Sequence, residues 1–166
     1  MCLATADRAG CPSARIVLLR GLDHRGLRFY TSYFSRKGRE LAENPQVAAL
    51  FHWPALERQV RVEGVAEMLS EDESDEYFAT RPRGHQLAAW ASEQSEPIEG
   101  REILEERFAH FDQRFAGEPV PRPHSWGGYL LKPSRFEFWL GRVDRMHDRF
   151  EFARSGAAWL ASRLQP

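Results

Sequence analysis

The sequence predicts a mainly β fold with inserted helices, an α+β chain whose antiparallel strands curl into a small barrel. Three observations predict it. Short β-rich runs recur along the chain, separated by clusters of Gly, Pro, Asn and Asp that mark hairpin turns. One run alternates cleanly: Val60 and Val62 alternate with Gln59, Arg61 and Glu63, as in a sheet with one dry face. Helical periodicity is confined to a few stretches, so parallel crossovers are few. The count is about eight strands, with three or four helices placed after the fifth.

Residues 1–6 read as a strand already under way, with a turn at 7–10. A domain that opens inside a strand leads us to expect a longer natural N-terminal segment. Residues 14–20 are β-rich, with arginine near each end. Asp23-His24-Arg25-Gly26 is a turn cluster and 27–31 the return strand, which makes a hairpin of 14–20 with 27–31. Ser35 is placed to cap a helix that Asn44-Pro45 stops. A helix start with free N–H groups beside Arg36 and Lys37 is a ready phosphate site. The same text also fits a capped surface helix with two exposed cations.

Residues 46–53 and 58–69 form two more strands around Pro54-Ala55-Leu56-Glu57. Gln59, on the polar side, is either a donor to a heterocycle or a rim residue. Ser70-Glu71-Asp72-Glu73 matches a capping box and opens a helix running to Thr80. Arg81-Pro82-Arg83-Gly84 breaks it, and 86–92 read as a further short helix. Tyr77 and Arg81, four apart, share a helix face and could present a ring and a phosphate clamp, or simply an amphipathic face. Residues 93–97 are a loop. Over 99–115, Ile103, Leu104, Phe108, Phe111 and Phe115 recur at helical spacing, a stripe for core or subunit packing. Pro119, Pro121 and Pro123 stiffen the connector that follows.

Strands are expected at 126–131 and 135–139, then at Arg145-Met146-His147-Asp148-Arg149, and last around Trp159 and Leu160. If 145–149 is a strand, Arg145, His147 and Arg149 share one face and Met146, Asp148 and Phe150 the other. Two guanidiniums and an imidazole, with Trp139 just upstream, suit a phosphorylated planar ligand. A solvated basic strand is the plainer alternative.

Composition narrows the classes. The 166 residues indicate one domain, and the net charge of -1 argues against nucleic-acid binding. Lys37 and Lys132 are the sole lysines among 23 basic residues, so a lysine between arginines stands out. Cys2 and Cys11 have no Cys-x-x-Cys spacing and no histidine cluster nearby, so neither a metal site nor a disulfide framework is expected. No apolar run is long enough to span a membrane and no signal peptide is visible, so the cytoplasm is expected. Dinucleotide, Walker, nucleophile-elbow and zinc-protease motifs do not occur.

Several stretches together resemble one family. They are Arg15-Ile16-Val17-Leu18-Leu19-Arg20, Phe29-Tyr30-Thr31, Ser35-Arg36-Lys37-Gly38 and Leu56-Glu57-Arg58-Gln59-Val60. Further on come Tyr77-Phe78, Arg81-Pro82-Arg83, Ala89-Trp90, Gln94-Ser95, Ser125-Trp126-Gly127-Gly128, Phe138-Trp139 and Arg145-Met146-His147-Asp148-Arg149. Collinear over nearly the whole chain, they resemble the pyridoxamine (pyridoxine) 5'-phosphate oxidase family. The resemblance implies a split antiparallel β-barrel over residues 1–166, binding FMN at a homodimer interface.

It also implies roles. Arg15, Arg20, Tyr30, Thr31, Ser35, Arg36, Lys37, Gln59, Gln94, Ser95, Trp139 and Arg149 would hold FMN, with Arg36 and Lys37 near its phosphate. Arg20, Tyr77, Arg81, His85, Arg145 and His147 would hold a phosphorylated pyridine, with Arg145 and His147 catalytic. The implied reaction oxidises pyridoxine or pyridoxamine 5'-phosphate to pyridoxal 5'-phosphate, with dioxygen as acceptor and hydrogen peroxide as product. Three positions depart from the family pattern: Arg20 stands for a lysine, His85 for a serine and Leu140 for a glutamine. Two other readings stay open. One is a related FMN oxidase of another ring, such as a dihydrophenazine precursor. The other is a flavin- or pyridoxal-phosphate-binding protein without turnover.

Overall fold

A computed structural model describes residues 1–166. Its nine strands are β1 (Cys2–Ala6), β2 (Pro12–Ile16), β3 (Gly21–Asp23), β4 (Gly26–Ser32), β5 (Gln46–Trp53), β6 (Arg58–Met68), β7 (Trp126–Leu140), β8 (Asp148–Ser155) and β9 (Ala158–Leu164). The helices are α1 (Arg36–Glu43), α2 (Glu71–Ala79), α3 (Arg83–Ala91) and α4 (Arg101–Arg114). The sheet runs β2-β1-β5-β6-β7-β4-β3, with β8 paired to β7 and β9 to β8. The hairpin pairs are antiparallel. The path keeps free ends, as in a split barrel and not a closed one. No helix is long and apolar enough to cross a membrane.

The chain forms two compact units. The first comprises Met1–Phe29, Glu40–Glu67 and Leu130–Pro166. Its core is the inward row of the strands, with Leu3, Phe29 and Leu131 wholly buried and Val47, Ala49 and Val62 nearly so. Each large side chain so buried contributes about 1.5–3 kcal/mol. Gly64 is required where β6 passes β7, since a Cβ there would lie 2.1 Å from the Lys132 carbonyl oxygen.

The second unit comprises Tyr30–Arg39 and Met68–Tyr129. Its core gathers Phe78, Leu87, Phe115, Val120 and Trp126, with Phe108 and Phe111 packed against them. The α4 stripe therefore serves as core along its C-terminal half, while Leu104 stays exposed. The capping box forms as expected, Ser70 Oγ accepting from the Glu73 N–H and the Glu73 carboxylate from the Ser70 N–H. The proline connector is pinned: Trp90 Nε1 donates to the Pro121 carbonyl at 2.7 Å, and Arg122 pairs with Asp75 at 2.5 Å.

Five local expectations are corrected. First, residues 14–20 do not form one strand against 27–31; Arg20 alone reaches across, its N–H bonded to the Arg28 carbonyl. Pro12–Ile16 pairs with β1 around a tight turn in which Asp7 Oδ1 accepts the Ala9 and Cys11 N–H groups. The later hairpin uses Gly21–Asp23 against β4. Each turn is closed by an aspartate side chain, Asp23 Oδ1 accepting the Arg25 N–H at 2.8 Å in the later one, so each cluster keeps its own hairpin and residues 17–20 link the two. Second, residues 126–131 and 135–139 are one strand through Pro133; pairing with β8 starts at Arg135, so that ladder asks no N–H of the proline.

Third, Gly21–Asp23 is a strand of its own, which makes the strands nine; α2, α3 and α4 follow β6, the strand expected at 58–69, as the sequence indicates. Fourth, α3 starts at Arg83 with Pro82 at its cap, so the break after α2 is shorter than expected. Fifth, residues 145–149 are not a strand. Val143–Arg145 is a 3-10 turn in which Asp144 and Arg145 have φ of 57° and 60°, and β8 begins only at Asp148. Two consecutive left-handed residues cannot sit in a strand, so Arg145, His147 and Arg149 do not share one strand face.

Candidate cofactor and substrate site

The expected residues fall into separate clusters. In the second unit, the end of β4 and the start of α1 build a cationic nest. Lys37, 8% exposed, donates from Nζ to Thr31 Oγ1 at 3.0 Å, Ser35 Oγ at 3.2 Å and Gln94 Oε1 at 3.0 Å. Thr31 Oγ1 also donates to Gln94 Oε1 at 2.9 Å. Ser35 is the helix cap, accepting the Gly38 N–H at 3.3 Å and donating to the Ser32 carbonyl at 2.7 Å. The helix can start this close to the strand end only with glycine at 38, because a Cβ there would lie 2.1 Å from the Tyr33 carbonyl oxygen. Arg36 is exposed beside it and Lys37 is not, so the picture of two surface cations holds for Arg36 alone. Ser95, exposed, follows Gln94 with φ of 78°.

This donor set suits a phosphate monoester. An ammonium rests on hydroxyl and amide oxygens at the start of a helix whose dipole favours anions, next to a guanidinium. The three named partners of Lys37 are neutral oxygens that orient its ammonium.

A ladder of aromatic rings lies in the same unit. Tyr30 and Tyr77 stack with centroids 3.8 Å apart, and Trp126 lies nearly parallel to both, 5.5 Å and 6.2 Å away. The Arg81 guanidinium sits 4.4 Å from the Trp126 ring centroid and 5.4 Å from that of Phe78. Tyr77 lies in the last turn of α2 but Arg81 falls beyond its cap, so they do not share a helix face as expected; both instead stand beside the Trp126 ring, where the cation–π contact fixes the guanidinium. His85 is exposed in the first turn of α3.

In the first unit, Gln59 on β6 and Trp139 on β7 line a cleft of about 520 Å³. Trp53, Leu56, Phe138, Leu140 and Phe150 give it apolar walls, and Arg58, Arg142 and Asp148 give it charge. Its size and lining suit a heteroaromatic ring. The His147 ring lies 4.6 Å from that of Trp139, and His147 Nδ1 accepts the Arg142 N–H at 3.1 Å. In its neutral form the imidazole therefore carries its proton on Nε2. Trp139 pairs directly with Arg149 across β7 and β8.

Arg149 donates from Nε to Glu137 Oε1 at 2.8 Å and from Nη1 to the Gln165 carbonyl at 3.0 Å. The Arg149 hydrogen bond holds the Glu137 carboxyl below its usual range, and Arg149 is itself raised by that bond. The Arg142 hydrogen bond likewise lowers Asp148.

Three expected residues stand apart from these clusters. Arg15 turns to Glu40, Thr5 and Ser13, with its Nη2 3.2 Å from the Glu40 carboxylate. Arg20 is exposed, its backbone N–H bonded to the Arg28 carbonyl. Arg145 is exposed on the left-handed turn. Sequence reasoning missed Trp126, Glu137 and Glu40 as partners of the arginines. The signal for Glu137 was a carboxylate two residues before Trp139 on the same strand face; nothing local marked Glu40.

Residues 1–115 match the family described as pyridoxamine 5'-phosphate oxidase, and residues 126–166 match the pyridoxine 5'-phosphate oxidase C-terminal dimerisation region. The pyridoxine/pyridoxamine 5'-phosphate oxidase of Rubrobacter xylanophilus is 62% identical over 166 residues, all of this chain and 76% of that protein. That of Cupriavidus necator is 56% identical over 167 residues, all of this chain and 78% of that protein.

Among solved structures, PhzG from Burkholderia lata, in complex with tetrahydrophenazine-1-carboxylic acid, superposes with a TM-score of 0.93. It is 36% identical, over 99% of this chain and 80% of that one. A pyridoxamine 5'-phosphate oxidase-related, FMN-binding protein from Nostoc punctiforme shares the fold at a TM-score of 0.78 and 19% identity, over 99% and 87% of the two chains. The chain belongs to the pyridoxamine 5'-phosphate oxidase family of FMN-dependent oxidases, and FMN is its cofactor.

Proposed function

We propose that the chain works as one FMN-binding domain in a cytoplasmic homodimer with FMN at the interface. There it oxidises pyridoxine 5'-phosphate and pyridoxamine 5'-phosphate to pyridoxal 5'-phosphate. The alcohol and dioxygen give the aldehyde and hydrogen peroxide; the amine also takes up water and releases ammonia. The observation that carries this reading is the Arg81 guanidinium held over Trp126 beside the stacked Tyr30 and Tyr77, a phosphate clamp next to a flat ring surface. Relatives at 56–62% identity that bear this activity in their names support it.

When bound, FMN supplies the two-electron acceptor. The chain supplies position and charge. Lys37, Arg36, Thr31, Ser35, Gln94 and Ser95 hold the FMN phosphate end, and Gln59, Trp139 and Arg149 hold its ring. Arg15 and Tyr30 complete that set. Arg81, Tyr77, His85 and Arg20 bind the phosphorylated pyridine. Arg145 orients it, and His147 offers Nε2 as the atom that holds or gives a proton, its Nδ1 being engaged by the Arg142 N–H.

A second reading has its own support. PhzG is similar over nearly the whole chain, and Leu140 gives the cleft an apolar wall where the family pattern has glutamine. A related oxidase of a dihydrophenazine-type ring would use the same FMN site. The test is the visible spectrum of the anaerobic holoprotein before and after pyridoxine 5'-phosphate. Bleaching that reverses in air is the expected result. An unchanged flavin band with this substrate, and bleaching with a dihydrophenazine carboxylic acid, moves the assignment to the second reading. Bleaching with neither leaves a flavin-binding protein.

A further inference from the structure

Glu137 is buried, 6% exposed, on a strand face that it shares with the exposed Arg135 and the half-buried Trp139. Its two oxygens face two arginines: Oε1 accepts Arg149 Nε at 2.8 Å, and Oε2 lies 3.4 Å from Arg61 Nη1. Burying an ionised carboxylate is unfavourable unless it is paired, and an apolar residue of similar volume often stabilises a fold as well. A charge kept there is therefore better explained by what it does to its partner. Arg149 lies directly across from Trp139, so Glu137 sits diagonally behind it on the same face. Bonds from Nε to Glu137 and from Nη1 to the Gln165 carbonyl fix both the plane and the rotation of the guanidinium. Neither bond engages Nη2, the corner left to meet a ligand beside Trp139.

We propose that Glu137 is a positioning residue for the flavin: its carboxylate orients the Arg149 guanidinium so that this arginine meets bound FMN beside Trp139. The proposal rests on the reading above that Arg149 contacts FMN. The Arg149 bond holds the Glu137 carboxyl below its usual range, which agrees with a carboxylate that stays charged throughout the neutral range.

The experiment follows FMN release from the full-length holoprotein on dilution, read by the recovery of flavin fluorescence. The variants are Glu137→Ala, Glu137→Gln, Arg149→Ala and the double variant Glu137→Ala/Arg149→Ala. Glu137→Ala should raise the FMN dissociation constant about tenfold, the value of one well-placed hydrogen bond. Glu137→Gln should restore it to within about threefold, because the amide oxygen still accepts from Nε. In the Arg149→Ala background, Glu137→Ala should change affinity by less than about twofold, since its route of action is gone.

Unchanged affinity in Glu137→Ala overturns the proposal. So do losses that multiply in the double variant, which mark a role in the fold alone. If Glu137→Ala does not fold, Glu137→Asp, whose shorter side chain withdraws the carboxylate from Nε, takes its place with the same expectations. If Arg149→Ala itself binds FMN like the parent, the reading of Arg149 fails first, and that outcome is distinct from a failure of Glu137 alone.

Discussion

Replacing Lys37 by methionine separates binding from folding. The side chain keeps most of its length and loses its ammonium. A hydrogen bond to a charged group is worth about 1.5–3 kcal/mol, so losing one to a phosphate weakens FMN binding by about 10- to 150-fold. The loss to the fold is much smaller. Thr31 Oγ1 still donates to Gln94, and Ser35 Oγ still bonds the Gly38 N–H and the Ser32 carbonyl. The oxygens that Lys37 leaves therefore keep partners, and the variant no longer has to keep a charge buried. The net effect on the FMN-free protein should stay within about 1 kcal/mol, a melting shift of about 2–4 °C at most for a chain of this size. The assay pairs a flavin-fluorescence titration with thermal unfolding of the FMN-free protein. Raising salt should weaken FMN binding more in the parent than in the variant, as expected when one charge contact is missing. A dissociation constant within about threefold of the parent's would refute the assignment of Lys37 to the phosphate.

Three further outcomes follow from other parts of the chain. Arg145→Ala should lose most turnover while holding its flavin, checked by steady-state rates against the flavin absorbance of the purified protein; full turnover would remove Arg145 from the site. Glu137→Gln should flatten the acid limb of stability. The folded carboxyl is held below its ordinary value of 4.5, so its contribution is complete above that pH and fades as pH falls through the lower folded value. Urea unfolding at a series of acid pH values reads the difference. Burial raises Tyr129 to about 12 from 10.0, so parent stability should decline as pH climbs between those values, and Tyr129→Phe should abolish that decline in alkaline unfolding curves.

Local signals made much of the fold legible. The Ser70 capping box, the helix between Ser35 and Asn44, and the hairpin of β5 and β6 each rest on contacts within a few residues. Those were readable because the deciding physics is short-range. Reading failed where distant partners decide. The whole of 14–20 was assigned to the later turn, yet Asp7 and Asp23 each close a turn with their side chains, and the two hairpins divide the segment between them. Asp144 and Arg145 carry ordinary side chains, so nothing in the text announces their left-handed backbone.

The candidate site divides in the same way. Ser35, Lys37, Tyr77 and Arg81 stood out from local spacing. Glu137 did not, because alternation alone assigns a glutamate to the wet side of a sheet, whereas two arginines from neighbouring strands cover this one.

The turn at Val143–Arg145 has a consequence for how such enzymes diverge. Residues placed on ladders are committed to their register, since moving one shifts every neighbour. Arg145 stands outside any ladder, on two left-handed residues that each carry roughly 1–2 kcal/mol of strain. Strain of that kind is easily released by insertion, deletion or a glycine, and none of these need disturb the β7–β8 pairing that carries Trp139 and Arg149. On the proposed assignment of Arg145 to substrate and of Trp139 and Arg149 to FMN, a lineage can thus retune what it oxidises at the turn while inheriting its flavin cradle intact.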